Sequence, residues 1–346
     1  MGIYNINVRN VNDALPLGLR MLANNNGVDE ESRNGPVRVL PNPVITSYDR
    51  PMERVLFSPL RDANPFFHVM EALWMLSGRN DVSFPTQFNS KFDQFSDDGS
   101  TFYGAYGYRW RKWFGYDQLE AICEELTINP LSRRAVLAMW DAGGQRDNSV
   151  LVGMCDLYQA GNGGKDVPCN THIYFRNNQG YLDMTVMCRS NDIVWGAYGA
   201  NAVHFAFLLE YMAARLDLKV GKLFQFSNNF HYYVNVVGDY QKVMAMAADA
   251  EEHNYYRTKL LRPMPLVVDF AVFDQEVDAF IECDEVDYTE PFIRDVAEPM
   301  RQAWSLHKVK DYAGALTYAH SIKAEDWRVA CTEWLERRAL KHRGEK

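Results

Sequence analysis

The chain has 346 residues and is 47% hydrophobic, 23% charged and 13% aromatic, the profile of a folded globular protein with room for one large domain or two ordinary ones. A net charge of −9 excludes a protein that lives on a nucleic-acid polymer, which needs a basic face, although it leaves room for a single nucleotide held by a few arginines. No run approaches the roughly 18 apolar residues of a membrane span, Met1–Arg9 lacks the apolar stretch of a secretory signal, and the scattered Cys123, Cys155, Cys169, Cys188, Cys283 and Cys331 contain no C-x-x-C pair, so a cytoplasmic protein with reduced thiols is expected, with neither a disulfide frame nor a metal site.

In chain order, Val11–Leu22 carries a short helical pattern, and Asn24–Gly35 reads as a polar loop. Val37–Phe57 has strand character, broken by turn formers. Pro65–Leu76 places Phe66, Phe67, Met70, Leu73, Trp74 and Leu76 at helical spacing, and Gly78 ends the helix. Phe84–Ser100 is polar and aromatic and reads as a surface loop. Asp117–Leu126 reads as a helix, and N-P-L-S-R-R leads into a strand, Ala135–Trp140. Ala142–Gly164 is loop-like around the apolar piece Val150–Met154. His172–Phe175 and Tyr181–Cys188 are β runs joined by N-N-Q-G, a good hairpin turn. Ala202–Leu216 is a helix apolar on nearly all faces and therefore buried. Lys222–Phe226 and His231–Val234 read as short strands, Asp239–Asn254 as a helix, and the chain from Pro291 onward as amphipathic helices. Strands and helices mixed without strict βαβ alternation point to an α+β fold.

The candidate chemistry gathers between Val167 and Tyr233. Cys169 is a candidate nucleophile if nearby cations hold its thiolate, and Arg189, twenty residues on, supplies such a charge if the two β runs fold together; a buried structural thiol is the alternative. Arg133 and Arg134 after a turn, and Arg189 with Ser190 at a strand end, suit phosphate, because guanidinium forks grip its oxygens in pairs. As surface charges they would mean little. Asn201, ahead of an apolar helix, is either an N-cap or a reader of a base edge. His231 and Tyr233 alternate on a strand and so share a face. Glu71 sits within the apolar helix Pro65–Leu76, where a carboxylate facing the core needs a partner or a task.

Taken together, E-A-L-W-M-L-S-G, A-Y-G-Y-R-W-R, D-Q-L, N-P-L-S-R-R, V-P-C-N, C-R-S-N-D, the Asn201 loop and F-H-Y-Y occur in the order found in the thymidylate synthase superfamily, which includes the pyrimidine-nucleotide hydroxymethylases. The chain resembles that superfamily from about Arg33 to Tyr233, and within it the phage-type dUMP or dCMP hydroxymethylases. The resemblance implies a thymidylate synthase-like fold that dimerises through its sheet, a catalytic domain over residues 1–290 and a C-terminal helical extension over 291–346. It implies Cys169 as the nucleophile toward C6 of a deoxypyrimidine 5′-monophosphate. Arg33, Arg189 and Ser190 would form the phosphate clamp, with Arg133 and Arg134 acting in trans across a homodimer. Glu71 would organise water and proton transfer, Tyr106 would assist loss of the C5 proton, and Asn201 would read the base. His231 and Tyr233 would hold the sugar, and Asp192, Trp74, Phe92 and Phe95 would face 5,10-methylenetetrahydrofolate, the implied cosubstrate.

Departures from the synthase pattern favour water over hydride as the last reactant. Asn170 follows the nucleophile where synthases usually carry His, Phe92 and Phe95 replace two tryptophans, and helices ending R-G-E-K stand where synthases have a short apolar lid. The extension is expected to replace that lid or extend the dimer. Thymidylate synthase activity, with reductive methylation of dUMP, is the alternative within the family. Asn201 favours dUMP, because deoxycytidylate hydroxymethylases carry Asp there; by count from Arg189, however, Ala200 takes the position, and an amide can flip to suit cytosine. Outside the family, a cysteine hydrolase pairing Cys169 with His172 or His231, or a non-catalytic nucleotide-binding dimer, remain open. A host cytoplasm is the implied location for a viral enzyme of this kind.

Overall fold

Asn64 and Pro65 start the helix on which the site depends. Asn64 accepts from the Phe67 amide at 3.2 Å, and Pro65 occupies the first turn, where its missing N–H costs nothing. The computed structural model describes every residue except Met1, Asn25, Gly144, Asn148, Ser149, Gly153, Met154, Asp284, Glu285, Glu345 and Lys346. The first half runs β1 (Tyr4–Val8), α1 (Val11–Ala23), β2 (Val28–Glu30), β3 (Val37–Val39), β4 (Val44–Tyr48), α2 (Pro65–Leu76), α3 (Pro85–Phe88), α4 (Tyr106–Arg111) and α5 (Gln118–Ile128). The middle runs β5 (Val136–Ala138), β6 (Gln145–Asp147), β7 (Val150–Val152), α6 (Asp156–Gly161), β8 (Asn170–Asn178), β9 (Tyr181–Cys188), β10 (Asn191–Asp192), α7 (Asn201–Arg215), β11 (Lys219–Ser227) and β12 (Phe230–Tyr233). The remainder is helical: α8 (Val234–Val237), α9 (Tyr240–Glu252), α10 (Tyr255–Thr258), α11 (Phe270–Glu282), α12 (Glu298–Lys308), α13 (Tyr312–Ser321) and α14 (Glu325–Arg343).

A six-stranded mixed sheet, in the order β1-β4-β11-β9-β8-β5, forms the backbone of the molecule, and a smaller sheet, β10-β12-β3-β2, carries the loops beside the site. The β8–β9 hairpin turns through Gln179 and Gly180, both at positive φ, as the N-N-Q-G signal requires. The covered face of the large sheet packs on α7, in which every residue from Ala202 to Ala213 is buried; each fully buried Leu or Phe there contributes about 1.5–3 kcal/mol. The other face is open. Val136, Tyr174, Thr185 and Phe224 align across four strands on it, with Val136 39% and Tyr174 42% exposed.

All twelve residues of α2 are buried, His68 and Glu71 included, because helices from the end of the chain close over it. Phe66 packs on Trp304 and Trp334 with centroids 5.6 and 5.7 Å away, and Phe207 of α7 packs on Phe292 and Trp327. Arg337 and Arg338 pair with Asp62 just ahead of α2. The stretch after Pro291 thus completes the same hydrophobic core as the rest of the chain.

Several local expectations need correction. Phe84–Ser100 is not a surface loop throughout: it holds α3 and a 3₁₀ turn at Phe92–Phe95, with Phe84 and Phe88 buried, because Trp304 of α12 covers Phe88 at 5.6 Å. The polar Asn24–Gly35 segment contains β2, an exposed strand held by backbone pairing with β3. Ala142–Gly164 includes a hairpin, β6–β7, and α6; of the apolar piece Val150–Met154, Gly153 and Met154 lie outside the described residues. Asn201 is not an N-cap. Asp192 takes that role, accepting from the amides of Val194 and Trp195, and a π-helical stretch, Ile193–Ala200, kinked at Gly199, leads into α7. Helix α11, with Phe273, Val277 and Phe280 buried, adds an element to those read from the sequence.

Candidate active site

Cys169 ends the loop that enters β8. The register pairs Asn170 with Cys188, so the next residue, Arg189, lies beside the thiol, and its amide donates to the Cys169 carbonyl at 2.9 Å. The Arg189 guanidinium braces the same loop, with Nε donating to the Pro168 carbonyl and Nη2 to that of Val167, both at 2.9 Å. Arg33 reaches in from the loop after β2 and donates to the carbonyls of Gly164 and Lys165. The expected cationic neighbours are therefore present, but they do not dominate. Burial pushes the Cys169 thiol above its ordinary value, and the pull of Arg189 and Arg33 only partly offsets it.

Two cavities flank this loop and share the ring of Phe95. The smaller, about 170 Å³, is lined by Glu71, Tyr106, Asp166, Asn201 and His204, with Trp74 and Phe92 on its apolar side. Tyr106 reaches it because α4 runs hard against the end of α2: a Cβ on Gly107 would sit 1.9 Å from the Met75 carbonyl oxygen. Burial holds the Tyr106 phenol well above its usual value, and its ring stacks on Phe205 at 6.3 Å. Asp166, three residues before the cysteine, accepts from the Gly104 amide at 2.8 Å, and burial raises its carboxyl to about 6.

The larger cavity, about 690 Å³, is bounded by Arg33, Phe95, Asp192, Trp195 and Tyr233. Parallel pairing of β10 with β12 sets Asp192 beside His231, and His231 and Tyr233 share a face with ring centroids 5.2 Å apart. Burial raises the Asp192 carboxyl and lowers the His231 imidazole, each partly countered by the other's charge. Ser190 lies half-buried between Arg189 and Asn191.

Asn201 sits at the end of an amide relay. Gln225 Nε2 donates to the Ala197 carbonyl at 3.4 Å, so its Oε1 must face Asn191; Asn191 Nδ2 points to that oxygen at 3.5 Å and to Ser227 Oγ at 3.0 Å. Asn191 Oδ1 then accepts from Asn201 Nδ2 at 3.1 Å. A carbonyl can only accept, so the relay fixes which end of each amide points where. The Asn201 amide bonds back to the Gly196 carbonyl across a kink at Gly199, whose φ of −115° and ψ of −112° are not helical.

Arg133 and Arg134, expected to act on the site of a second subunit, stand exposed between α5 and β5, and Arg134 pairs with Glu125 at 2.8 Å. His172 stacks with Tyr174 toward the open face of the sheet, and neither His172 nor His231 is among the charges acting on Cys169. Asp166, Asn191 and His204 belong to the site without having been singled out. Each carried a signal: an acid three before the cysteine, an amide between two chosen residues of R-S-N-D, and a lone histidine in an apolar helix.

A model of the family described as thymidylate synthase matches residues 26–254. The chain belongs to the thymidylate synthase family. It is 45% identical over 344 residues to a deoxyuridylate hydroxymethyltransferase of Pseudomonas phage M6, covering 96% of this chain and 94% of that one. A deoxyuridylate hydroxymethyltransferase of Bacillus phage SP01 is 36% identical over 61% of this chain and 55% of its own, and a putative thymidylate synthase of Methanothermobacter marburgensis is 32% identical over 40% and 54%. As a thymidylate synthase-family protein the chain is a one-carbon transferase. Among the described residues no helix is long and apolar enough to cross a membrane, and no group of three His, Cys, Asp or Glu side chains is placed to hold a metal ion.

Proposed function

We infer that this enzyme hydroxymethylates C5 of dUMP, with methylenetetrahydrofolate as the one-carbon donor. The fixed amide of Asn201 carries the choice of base. Its Oδ1 is left to accept from the N3–H of uracil, and its second Nδ2 hydrogen can donate to O4; cytosine offers the reverse pattern at both atoms. The name of the relative at 45% identity over nearly the whole chain, a deoxyuridylate hydroxymethyltransferase, supports the same substrate and product.

The residues then divide the work. Arg189 keeps donors beyond the two used on the loop, and with Arg33 and Ser190 it would hold the 5′-phosphate, while His231 and Tyr233 would meet the sugar. Cys169 Sγ adds to C6, and the negative charge that develops at O4 is met by Asn201. Tyr106 and Glu71, both on the wall of the smaller cavity, would assist loss of the C5 proton. The larger cavity, walled by the rings of Phe95 and Trp195 with Asp192 at its edge, fits a flat polycyclic cosubstrate, and Trp74 and Phe92 line its inner neighbour. When bound, methylenetetrahydrofolate supplies a carbon at the formaldehyde level. Water then adds to the exocyclic methylene left on the pyrimidine, and Cys169 departs from C6.

The open, partly aromatic face across β5, β8, β9 and β11 is the surface through which two copies would associate, with Arg133 and Arg134 crossing to the other subunit's phosphate site. The enzyme would work in the cytoplasm of an infected host. A competition between dUMP and dCMP, followed by product mass, tests the substrate: preferential consumption of dUMP is expected, and equal or preferred use of dCMP would overturn the base assignment.

A further inference from the structure

His204 and Glu71 on the wall of the small cavity carry three buried polar atoms that the fold leaves without hydrogen bonds. His204 of α7 is 3% exposed and Glu71 of α2 is 5% exposed. His204 Nε2 lies 3.1 Å from Glu71 Oε2, an ion-pair distance, yet among the described residues neither atom completes a hydrogen bond within the chain, and His204 Nδ1 completes none either. An orphaned buried polar atom costs about 1–3 kcal/mol. Two of them facing each other in one cavity call for a common third partner. A water molecule needs about 10–15 Å³ of such space and two to four polar neighbours, and this cavity offers about 170 Å³ with Tyr106 and Asn201 on the same wall. The charged groups around His204 are Glu71 beside it, Asp166 across the cavity, and His68 with Arg61 behind it.

We propose that His204, together with Glu71, binds and deprotonates the water that becomes the product hydroxyl. The proposal rests on hydroxymethylation as the reaction. Electrons balance without an oxidant or reductant. A lone pair of the water oxygen forms the C–O bond to the exocyclic methylene, and the C=C pair moves onto C4–O4 as an enolate. The water proton passes to His204 Nε2. The enolate re-forms its carbonyl, C5=C6 returns, and the C6–S bond breaks to release the Cys169 thiolate, to which a proton returns.

Two measurements on His204→Gln test this. Glutamine fills similar space and accepts a hydrogen bond but cannot take the proton. The first reads exchange of oxygen-18 from labelled water into 5-hydroxymethyl-dUMP without folate, which runs the same water step backwards and forwards. The second reads tritium release from C5-labelled dUMP with methylenetetrahydrofolate, which reports the steps before water adds. The expected result is a loss of exchange of about 100-fold or more, with tritium release within about 3-fold of the unaltered enzyme. Exchange at the unaltered rate, or a parallel fall in both signals, would overturn the proposal. Calorimetric binding of 5-hydroxymethyl-dUMP checks that the variant is folded, and His204→Asn replaces it if binding is lost. If the unaltered enzyme neither exchanges oxygen nor forms hydroxymethyl product, the hydroxymethylase reading itself fails.

Discussion

Replacing Asn191 with alanine separates recognition of the base from the rest of the chemistry. Asn191 is 2% exposed, and in the proposed site it does not touch substrate; it acts by accepting from Asn201 Nδ2 at 3.1 Å while Ser227 and Gln225 fix its own orientation. Without it, the Asn201 amide can rotate and present its NH₂ where the oxygen stood, the pattern that suits cytosine. A neutral hydrogen bond of this kind is worth about 0.5–1.5 kcal/mol net. Since 1.4 kcal/mol is a factor of ten, dUMP-over-dCMP discrimination in kcat/KM should fall by about 2- to 13-fold. The assay is the ratio of the two kcat/KM values in one competition mixture, which cancels any change in the amount of folded enzyme. An unchanged ratio, with both substrates slowed alike, would mean that Asn191 only supports the loop and that base choice lies elsewhere.

Other predictions concern the frame. Arg54 and Glu210 form a buried pair, Nη1 to Oε2 at 2.6 Å, with Glu210 Oε1 also accepting from Leu266; Glu210→Ala strands the arginine charge and should cost about 3–5 kcal/mol, read by denaturant unfolding, and a loss under 1 kcal/mol would contradict that. Trp334→Ala should lose about 3–5 kcal/mol and lower activity with it, because Trp334 packs on Phe66 of the helix that carries Glu71; full stability would show that the last helices are dispensable to the core. The contribution of Asp326 and Asp166 to stability should also fall as pH rises from about 4 to 6. Burial lifts Asp326 and Asp166 to about 6 from 3.8, so the folded state keeps protons that the unfolded chain has lost across that window. For the fully buried Asp326 the effect is at most about 3 kcal/mol. Thermal melts of Asp326→Asn across this range should show a flatter slope, and an unchanged slope would refute the assignment.

Where local physics decides, the sequence was legible. Helix α2 has the bounds expected from its apolar spacing and its Asn-Pro start, and the N-N-Q-G turn and its two strands are where alternation and positive-φ residues put them. The meeting of Cys169 and Arg189 followed from that hairpin alone. Where distant packing decides, it was not. Phe88 looked like part of a loop because Trp304, more than two hundred residues later, is what buries it. The polarity of His204 was visible in a largely apolar run, but whether it faced a cavity depended on the rotation of α7. The net effect on the Cys169 thiol depended on burial, a quantity that neighbouring charges in the sequence do not report.

The most direct test of hydroxymethylation is an incubation of the enzyme with dUMP and methylenetetrahydrofolate, followed by product mass and dihydrofolate absorbance together. Hydroxymethylated dUMP without dihydrofolate is the expected result. Methylated dUMP with an equivalent of dihydrofolate would contradict it, and would make this chain a thymidylate synthase in activity as well as in family.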